Sequence, residues 1–488
     1  MNASRLCLAT PDLARPPSDF FKELRQRVAA GARLVSFYGR PSDDPAEVVL
    51  TAVFDAADGL MVSRASILRE HGFHSLTRDV PAFHIFEREL FEQHGAKPHD
   101  HPWLKPVRYP AGGAARPSDY PFYKIEGKEV HEVAVGPIHA GVIEPGHFRF
   151  MCLGEIVHHL EIQLGYQHRG AEALLLRGSP LALAPLVETL AGDTSVAHAW
   201  AYCDALEALT DRPPDLATET WRGVGLELER IAMHLAGLSG MCADIAFMQG
   251  ASTYGRLRTT AINTSMLLCG SRLGHGWIRP GGVRLGVDGR TVAALTSNLA
   301  LIRRDIAIIN RHFCQARSVG HRLRGVGVVS TGQALELGLV GMAARASGVE
   351  IDARTRLRGE LGTQLPIQMV VETSGDCWAR ASLRIREIDE SLAWLDAAIA
   401  GQTTPAAAPA QRGELAPDRL AISVQEGWRG EVVHCLETDA AGALRHYRVQ
   451  DPSLRNWFGL ALSVRSNEIS DFPICNKSFD LSYCGNDL

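Results

Sequence analysis

Ten cysteines are the first residues whose chemistry could hold a metal or carry redox change: Cys7, Cys152, Cys203, Cys242, Cys269, Cys314, Cys377, Cys435, Cys475 and Cys484. A zinc or iron–sulfur site needs clustered thiolates, usually as C-x-x-C pairs, and no two of these cysteines have that spacing. The scatter predicts ten free, mostly buried thiols in a reducing compartment. Gly325-Val326-Gly327 lacks the third glycine of a dinucleotide-binding turn. No Walker-type phosphate loop, H-E-x-x-H helix or G-x-S-x-G elbow occurs either. Nucleotide chemistry, and with it NADH oxidation, is not expected of this chain itself.

The 488 residues are 46% hydrophobic and 22% charged, which excludes a disordered or collagen-like chain. Fifty basic against 55 acidic side chains leave a formal charge of −5, so a nucleic-acid partner is not expected. Lysine occurs only at Lys22, Lys97, Lys105, Lys124, Lys128 and Lys477, and the arginine excess reads as coding bias. No apolar run approaches the eighteen residues of a membrane span, and Met1 to Ser18 has no signal-peptide core. A cytoplasmic location follows, compatible with a peripheral place on a membrane complex.

The elements that would position any site read as α+β and multidomain. Residues 1–110 form a small α/β unit, with a helix over Asp19–Ala30 and strands at Arg33–Tyr38, Glu47–Phe54 and Leu60–Ser63. The Gly/Pro-rich stretch within 111–129 reads as a linker. In 130–488, Phe148, Phe150 and Cys152 alternate before the Gly154 turn. Ile156, His158, Leu160, Ile162 and Leu164 alternate after it, which predicts a β-hairpin. Helices dominate beyond, with stripes at Leu228, Ile231, Leu235, Leu238 and at Ile385, Ile388, Leu392, Leu395, Ile399. Gly401–Pro417 is Ala/Pro-rich and reads as a surface loop.

Several ordered blocks carry a resemblance. They are Gly136-Pro137-Ile138-His139-Ala140-Gly141-Val142-Ile143-Glu144-Pro145-Gly146-His147, Gly165-Tyr166-Gln167-His168-Arg169-Gly170-Ala171-Glu172, Glu229-Arg230-Ile231-Ala232-Met233-His234, Glu426-Gly427-Trp428-Arg429-Gly430-Glu431 and Asp471-Phe472-Pro473. Together they resemble the large subunit of group 4 [NiFe] hydrogenases of the formate-hydrogenlyase or hydrogenase-4 type, and the related 49-kDa quinone-site subunit of respiratory complex I. Glu87-Arg88-Glu89 with His101-Pro102 resembles the 30-kDa subunit of complex I, fused here at the N-terminal side. The implied fold is a 30-kDa-like α/β domain followed by a mainly α-helical hydrogenase-like domain opening on the hairpin.

A nickel–iron centre in that family rests on two C-x-x-C pairs of soft thiolates. Here the first pair falls on Ala191 and Thr194 and the second on Leu481 and Cys484, so one sulfur of four remains. The resemblance therefore implies no Ni–Fe centre, no metal and no cofactor bound to this chain, with a [4Fe-4S] cluster on a partner subunit. Asp487 stands where nickel enzymes have the histidine after which they are cut, and no peptide is expected to be released.

By the same resemblance Glu144 takes the place of a proton-relay glutamate, and His139 in the same loop that of a donor to a quinone carbonyl. Glu172, Asp193, Thr194, His198, Arg429, Asp480, Tyr483, Cys484 and Asp487 would line the old metal cavity. Glu172 is expected to pair with a cation such as Arg429 rather than hold Mg²⁺. The tyrosine of the complex I quinone pocket is absent, Leu186 or Pro185 standing there, which leaves Tyr483 as the aromatic candidate.

The implied function is that of a peripheral-arm subunit in a membrane-bound complex, on the cytoplasmic face of the inner membrane. Electrons would pass from the Fe–S small subunit toward a quinone or other acceptor with proton coupling, beside membrane-arm subunits. The alternative is a non-catalytic scaffold docking the Fe–S subunit onto the membrane arm.

Overall fold

The computed structural model describes residues 5–10, 15–113, 115–139, 143–357, 359–401 and 413–488. Ala140, Gly141 and Val142 of the first motif, and most of the predicted Gly401–Pro417 loop, lie outside the described residues.

Strand β1 (Arg5–Ala9) precedes helix α1 (Pro17–Ala29), which buries Phe20 and Leu24 as the sequence predicts. Strands β2 (Arg33–Pro41), β3 (Glu47–Ala56) and β4 (Gly59–Leu68) form an antiparallel meander, longer than the predicted strands but in the same places. Helix α2 (His84–His94) carries the charged motif Glu87-Arg88-Glu89, all three side chains buried. Glu87 accepts from Ser75 and Thr77 hydroxyls and the Leu76 amide, closing a turn. Arg88 donates to the Lys105 and Pro106 carbonyls. Residues 111–129 are irregular, yet Tyr120 donates to Glu161 at 3.2 Å and so is pinned to the next sheet.

That sheet has three strands: β5 (Val130–Val135), β6 (His147–Leu153) and β7 (Ile156–Gln163). The predicted hairpin is β6–β7, but its inward residues differ. Met151 pairs with His159 and Cys152 with Val157, so His158 is an extra residue and the strand bulges there. Val157 consequently faces the core, and Ile156 and His158 face out.

Four long helices dominate the middle of the chain: α3 (Ser195–Leu209), α4 (Leu216–Asp244), α5 (Met248–Cys269) and α6 (Gly289–Gln315). A further long helix, α7 (Cys377–Gly401), packs on α4. Asp215 caps α4 by accepting the Thr218 amide at 2.8 Å. The stripe Leu228, Ile231, Leu235, Leu238 is buried as predicted, but so are Glu227, Arg230 and His234 on the other faces. Helix α4 is thus central rather than amphipathic, because its charges have buried partners: His234 meets Glu387 of α7 at 2.7 Å, and Arg222 grips Glu207 of α3 at 2.6 and 2.9 Å.

The chain closes with β8 (Arg419–Glu426), β9 (Glu431–Thr438) and β10 (Leu444–Gln450), then α8 (Ser453–Ser463), α9 (Phe472–Phe479) and the short α10 (Tyr483–Asp487). Strand β1 adds to the edge of this last sheet, giving the order β1-β8-β9-β10. The N-terminal meander stacks on the same sheet: Val35, Tyr38 and Val53 share one apolar cluster with Ile422, Val424 and Val433. Ion pairs stitch the two sheets, Arg33 to Glu431 and both Arg40 and Arg64 to Glu437.

Helix α2 is fastened in the same way. Glu89 meets two guanidiniums, Arg448 of β10 and Arg108, and all three side chains are buried. Removing the carboxylate alone would leave buried Arg108 without an ion-pair partner among the described residues and Arg448 with Glu172 alone, at 3.4 Å. Glu89→Ala is expected to cost about 3–5 kcal/mol of stability, read from urea unfolding at neutral pH. A loss below about 1 kcal/mol would place this triad on the solvent-screened surface instead.

Candidate functional site

Two chain segments approach each other at the centre of the large unit. One is Ala191–Ser195, the entry to α3; the other is Asp480–Cys484, between α9 and α10. Arg429, in the turn joining β8 to β9, lies between them. That turn is held by a close crossing of backbones: Gly341 adopts φ +61°, and a Cβ there would stand 2.1 Å from the Arg429 carbonyl oxygen.

Arg429 is 4% exposed and donates in three directions. Two nitrogens grip Asp193 in a fork at 2.6 and 2.7 Å, one of them also reaching the Thr194 hydroxyl at 3.1 Å. Its Nε donates to the Asp480 carbonyl oxygen. The guanidinium lies 3.9 Å from the Trp428 ring centre, and Trp428 itself donates to the Asp193 carbonyl oxygen at 2.9 Å. Asp480 sits in the left-handed region at φ +55°, ending α9, and its carboxylate takes a 3.0 Å bond from Lys477. Burial opposes its charge, but Lys477, Arg384 and Arg429 outweigh that and hold the carboxyl below its ordinary range.

A nickel–iron centre does not fit this donor set. Ala191 and Leu481 offer only carbon, and Thr194 is already bonded to Arg429. Cys484 is the one sulfur. Burial, helped by the adjacent Glu144 carboxylate, pushes its thiol up to about 11, so it is protonated at neutral pH. Among the described residues no group of three or more His, Cys, Asp or Glu side chains is arranged to hold a metal ion.

The structure brings Glu144 and His139 to the same place. Glu144 lies against Cys484 and Tyr483, and the His139 ring is 6.4 Å from that of Tyr483. Gly146 packs against Tyr483 so tightly that a Cβ would stand 2.6 Å from its ring. Burial lowers the His139 pKa and, with Glu144, raises the Tyr483 phenol to about 12. At neutral pH this place therefore presents a neutral imidazole, a phenol and a thiol beside the Glu144 side chain.

The remaining predicted residues are placed elsewhere or differently. Glu172 pairs with Arg448 at 3.4 Å and accepts the Val449 amide at 3.0 Å; Arg429 is taken by Asp193, which corrects the expected Glu172–Arg429 pair. Asp487 accepts the Gly165 and Gln167 amides at 2.8 and 2.9 Å, fixing the loop before Glu172. His198 is fully buried and belongs to a chain of hydrogen bonds. Tyr447 lies 2.6 Å from His434, His434 lies 3.1 Å from His198, and His198 lies 3.2 Å from Asp451. Asp451, a carboxylate, accepts from His198, and burial holds His434 neutral.

Glu229 was not singled out from the sequence, although it stands in a quoted motif. It is buried behind Asp193, accepting the Val196 amide at 2.7 Å at the start of α3. His434, Tyr447 and Asp451 carry no motif at all, and only the sheet brings them to His198.

Comparison with known proteins follows the geometry. The respiratory-chain NADH dehydrogenase 49 kDa subunit family matches residues 244–412, which include Gly341 and Arg384 but none of the site residues expected from the sequence. The carbon monoxide-induced hydrogenase of Rhodospirillum rubrum is 26% identical over 72% of this chain and 97% of its own length. Hydrogenase-4 component G of Escherichia coli is 28% identical over 84% of this chain and 75% of that protein. The chain is related to both branches. An NADH-quinone oxidoreductase subunit of Campylobacter curvus, from the second branch, is 30% identical over 49% of the chain and 58% of its own length. The resemblance carried by the motifs is borne out, and the hydrogenase-like relatives extend it over most of the sequence.

One titration reports on the site. Burial, reinforced by Asp193, raises the Glu229 carboxyl from an ordinary 4.5 to about 8, against the pull of the Val196 amide. Between those values the folded state keeps a proton that the unfolded chain has lost, so this residue makes stability fall as pH rises. Glu229→Gln is expected to remove that slope, up to about 1.4 kcal/mol per pH unit. The variant-minus-wild-type difference, read from urea midpoints at pH 5, 6.5 and 8, should grow with pH; a flat difference would contradict the assignment.

Proposed function

We propose that the chain is the peripheral-arm, large subunit of a membrane-associated oxidoreductase complex, passing electrons from an adjoining iron–sulfur subunit toward a quinone without a nickel–iron site of its own. Its relatives are named as subunits of hydrogenases and of NADH-quinone oxidoreductase, which supports an oxidoreductase assembly. No helix among the described residues is long and apolar enough to cross a membrane, so attachment would run through partner subunits.

The observation that carries this reading is the Asp193–Arg429 pair. It joins the two segments that a dinuclear centre would otherwise cross-link, and Ala191 and Leu481 leave nothing to replace it with. Reducing a quinone to a quinol takes two electrons and two protons. The electrons would come from the partner's cluster, while Glu144, half-buried beside Tyr483 and Cys484, would deliver protons at the mouth of the site. His139, neutral and adjacent, would donate a hydrogen bond to one carbonyl oxygen of the acceptor.

The test uses the intact complex isolated from its membranes. Nickel is expected well below one atom per chain, and quinone-dependent turnover should fall on the order of a hundredfold in Glu144→Gln. Stoichiometric nickel would sink the claim about the site. Unchanged turnover in Glu144→Gln, together with unchanged turnover in His139→Gln, would leave the chain as a scaffold.

A further inference from the structure

A second site lies away from the one just described, in the cleft where α2 and the following loop face β7 and α8. The cleft measures about 790 Å³ and its walls include Trp103, Phe458 and Tyr123. Trp103 and Phe458 are in contact, with ring centres 4.8 Å apart and planes tilted by 55°, and form an aromatic corner. No aspartate or glutamate is among the described residues that line it, whereas Lys105, His158, His159 and Arg465 are. Lys105 is committed to Glu161. Arg465 has no acidic partner among the described residues; it donates to His159 Nδ1 at 3.2 Å, and its Nε is buried without a partner.

His84 decides what this surface is for. Its side chain is 6% exposed, sits 5.1 Å ring to ring from Phe458, and lines the cleft, yet neither ring nitrogen has a hydrogen-bond partner among the described residues. Burial and the Arg88 guanidinium keep this imidazole neutral, so it presents one donor and one acceptor. Leaving both unmatched in an apolar wall is unfavourable. The arrangement is stabilised by an occupant that has a polar edge as well as a flat apolar face.

We infer that the cleft binds a small planar aromatic molecule carrying an anionic group, its ring laid against Trp103 and Phe458, its polar edge on His84 and its anion met by Arg465. A basic rim with aromatic faces selects for that combination, since a neutral ring would leave Arg465 unpaired and a simple anion would leave the aromatic corner wet. The inference does not rest on the electron-transfer reading. It does touch the same region: behind His84 and Phe458 a smaller cavity of about 50 Å³ reaches Trp457, whose ring is 4.8 Å from that of Tyr483.

The probe for the test is 8-anilinonaphthalene-1-sulfonate, titrated into the purified full chain, beside its uncharged analogue N-phenyl-1-naphthylamine. Saturable one-site binding of the sulfonate is expected, weakened about tenfold or more by Arg465→Ala and by His84→Leu, and largely kept in His84→Gln. The uncharged analogue should bind about tenfold more weakly to wild type and be indifferent to Arg465→Ala. Displacement by adenosine 5′-monophosphate would mark a nucleotide-type occupant, and displacement by 1-naphthoate an aromatic carboxylate; either supports the site. Equal binding of both probes, or sulfonate binding untouched by Arg465→Ala, overturns it. Arg465 is partly exposed, so that variant tests the claim even if His84→Leu does not fold.

Discussion

A guanidinium held on three sides ties together three segments that lie far apart in the sequence. Arg429 links the entry of α3, the β8–β9 turn and the end of α9 through Asp193, Thr194 and the Asp480 carbonyl. In a metal centre built on the first and last of these segments, the cross-link would be metal–sulfur bonding. Here it is a forked ion pair stacked on Trp428. Such a pair holds geometry only while both ends stay charged and every donor is matched. Asp193 is about one-third exposed at its side chain, so the pair is weaker than a fully buried one. The surrounding bonds compensate: Trp428 fixes the Asp193 backbone, and the Gly341 crossing fixes that of Arg429.

The same device recurs through the interior. Arg345 meets both Glu387 and Glu426, Arg354 forks onto Asp352 and reaches Glu227, and Arg448 is shared with Glu89. Each is a planar donor matched to a carboxylate, most of them from a distant part of the sequence, a task that a lysine ammonium performs poorly. The arginine excess, which composition alone makes look like coding bias, therefore has a structural use at these positions. Burying so many charges is costly, and its return is specificity of assembly. A misplaced α4 or α7 would strand several ions at once.

How much of this was legible follows from the range of the interactions. Helices α4 and α7 and the β2–β3–β4 meander were readable because their periodicity is local. The bulge at His158 was not, since a single inserted residue leaves the alternation looking regular on paper. The docking of β1 on β8 joins Arg5 to Ser423 and carries no signal in either segment. Site residues divide in the same way. Motif matching found Asp193, Thr194, Arg429 and Asp480, which do converge. It assigned Glu172 the wrong cation, because Arg448 is an ordinary strand residue in sequence and becomes a partner only once β10 lies beside the loop.

The proposal that proton chemistry falls to Glu144 has a reason in the interior. Glu387 is locked in an ion-pair cluster: Arg345 and His234 outweigh its burial and hold it far below the usual carboxylate range. A carboxylate so stabilised gives up its charge only at great cost and cannot take a proton from a passing substrate. Glu229 is the reverse case, buried and proton-retaining, and it accepts backbone amides at the start of α3. The His198–His434–Tyr447 chain is buried, and it ends among core aromatics at Tyr202. A group that cycles protons must meet the acceptor on one side and water on the other. In the proposed role Glu144 would meet both, since it is half-buried beside Tyr483 and Cys484 in a loop whose neighbour Ile143 is half in solvent.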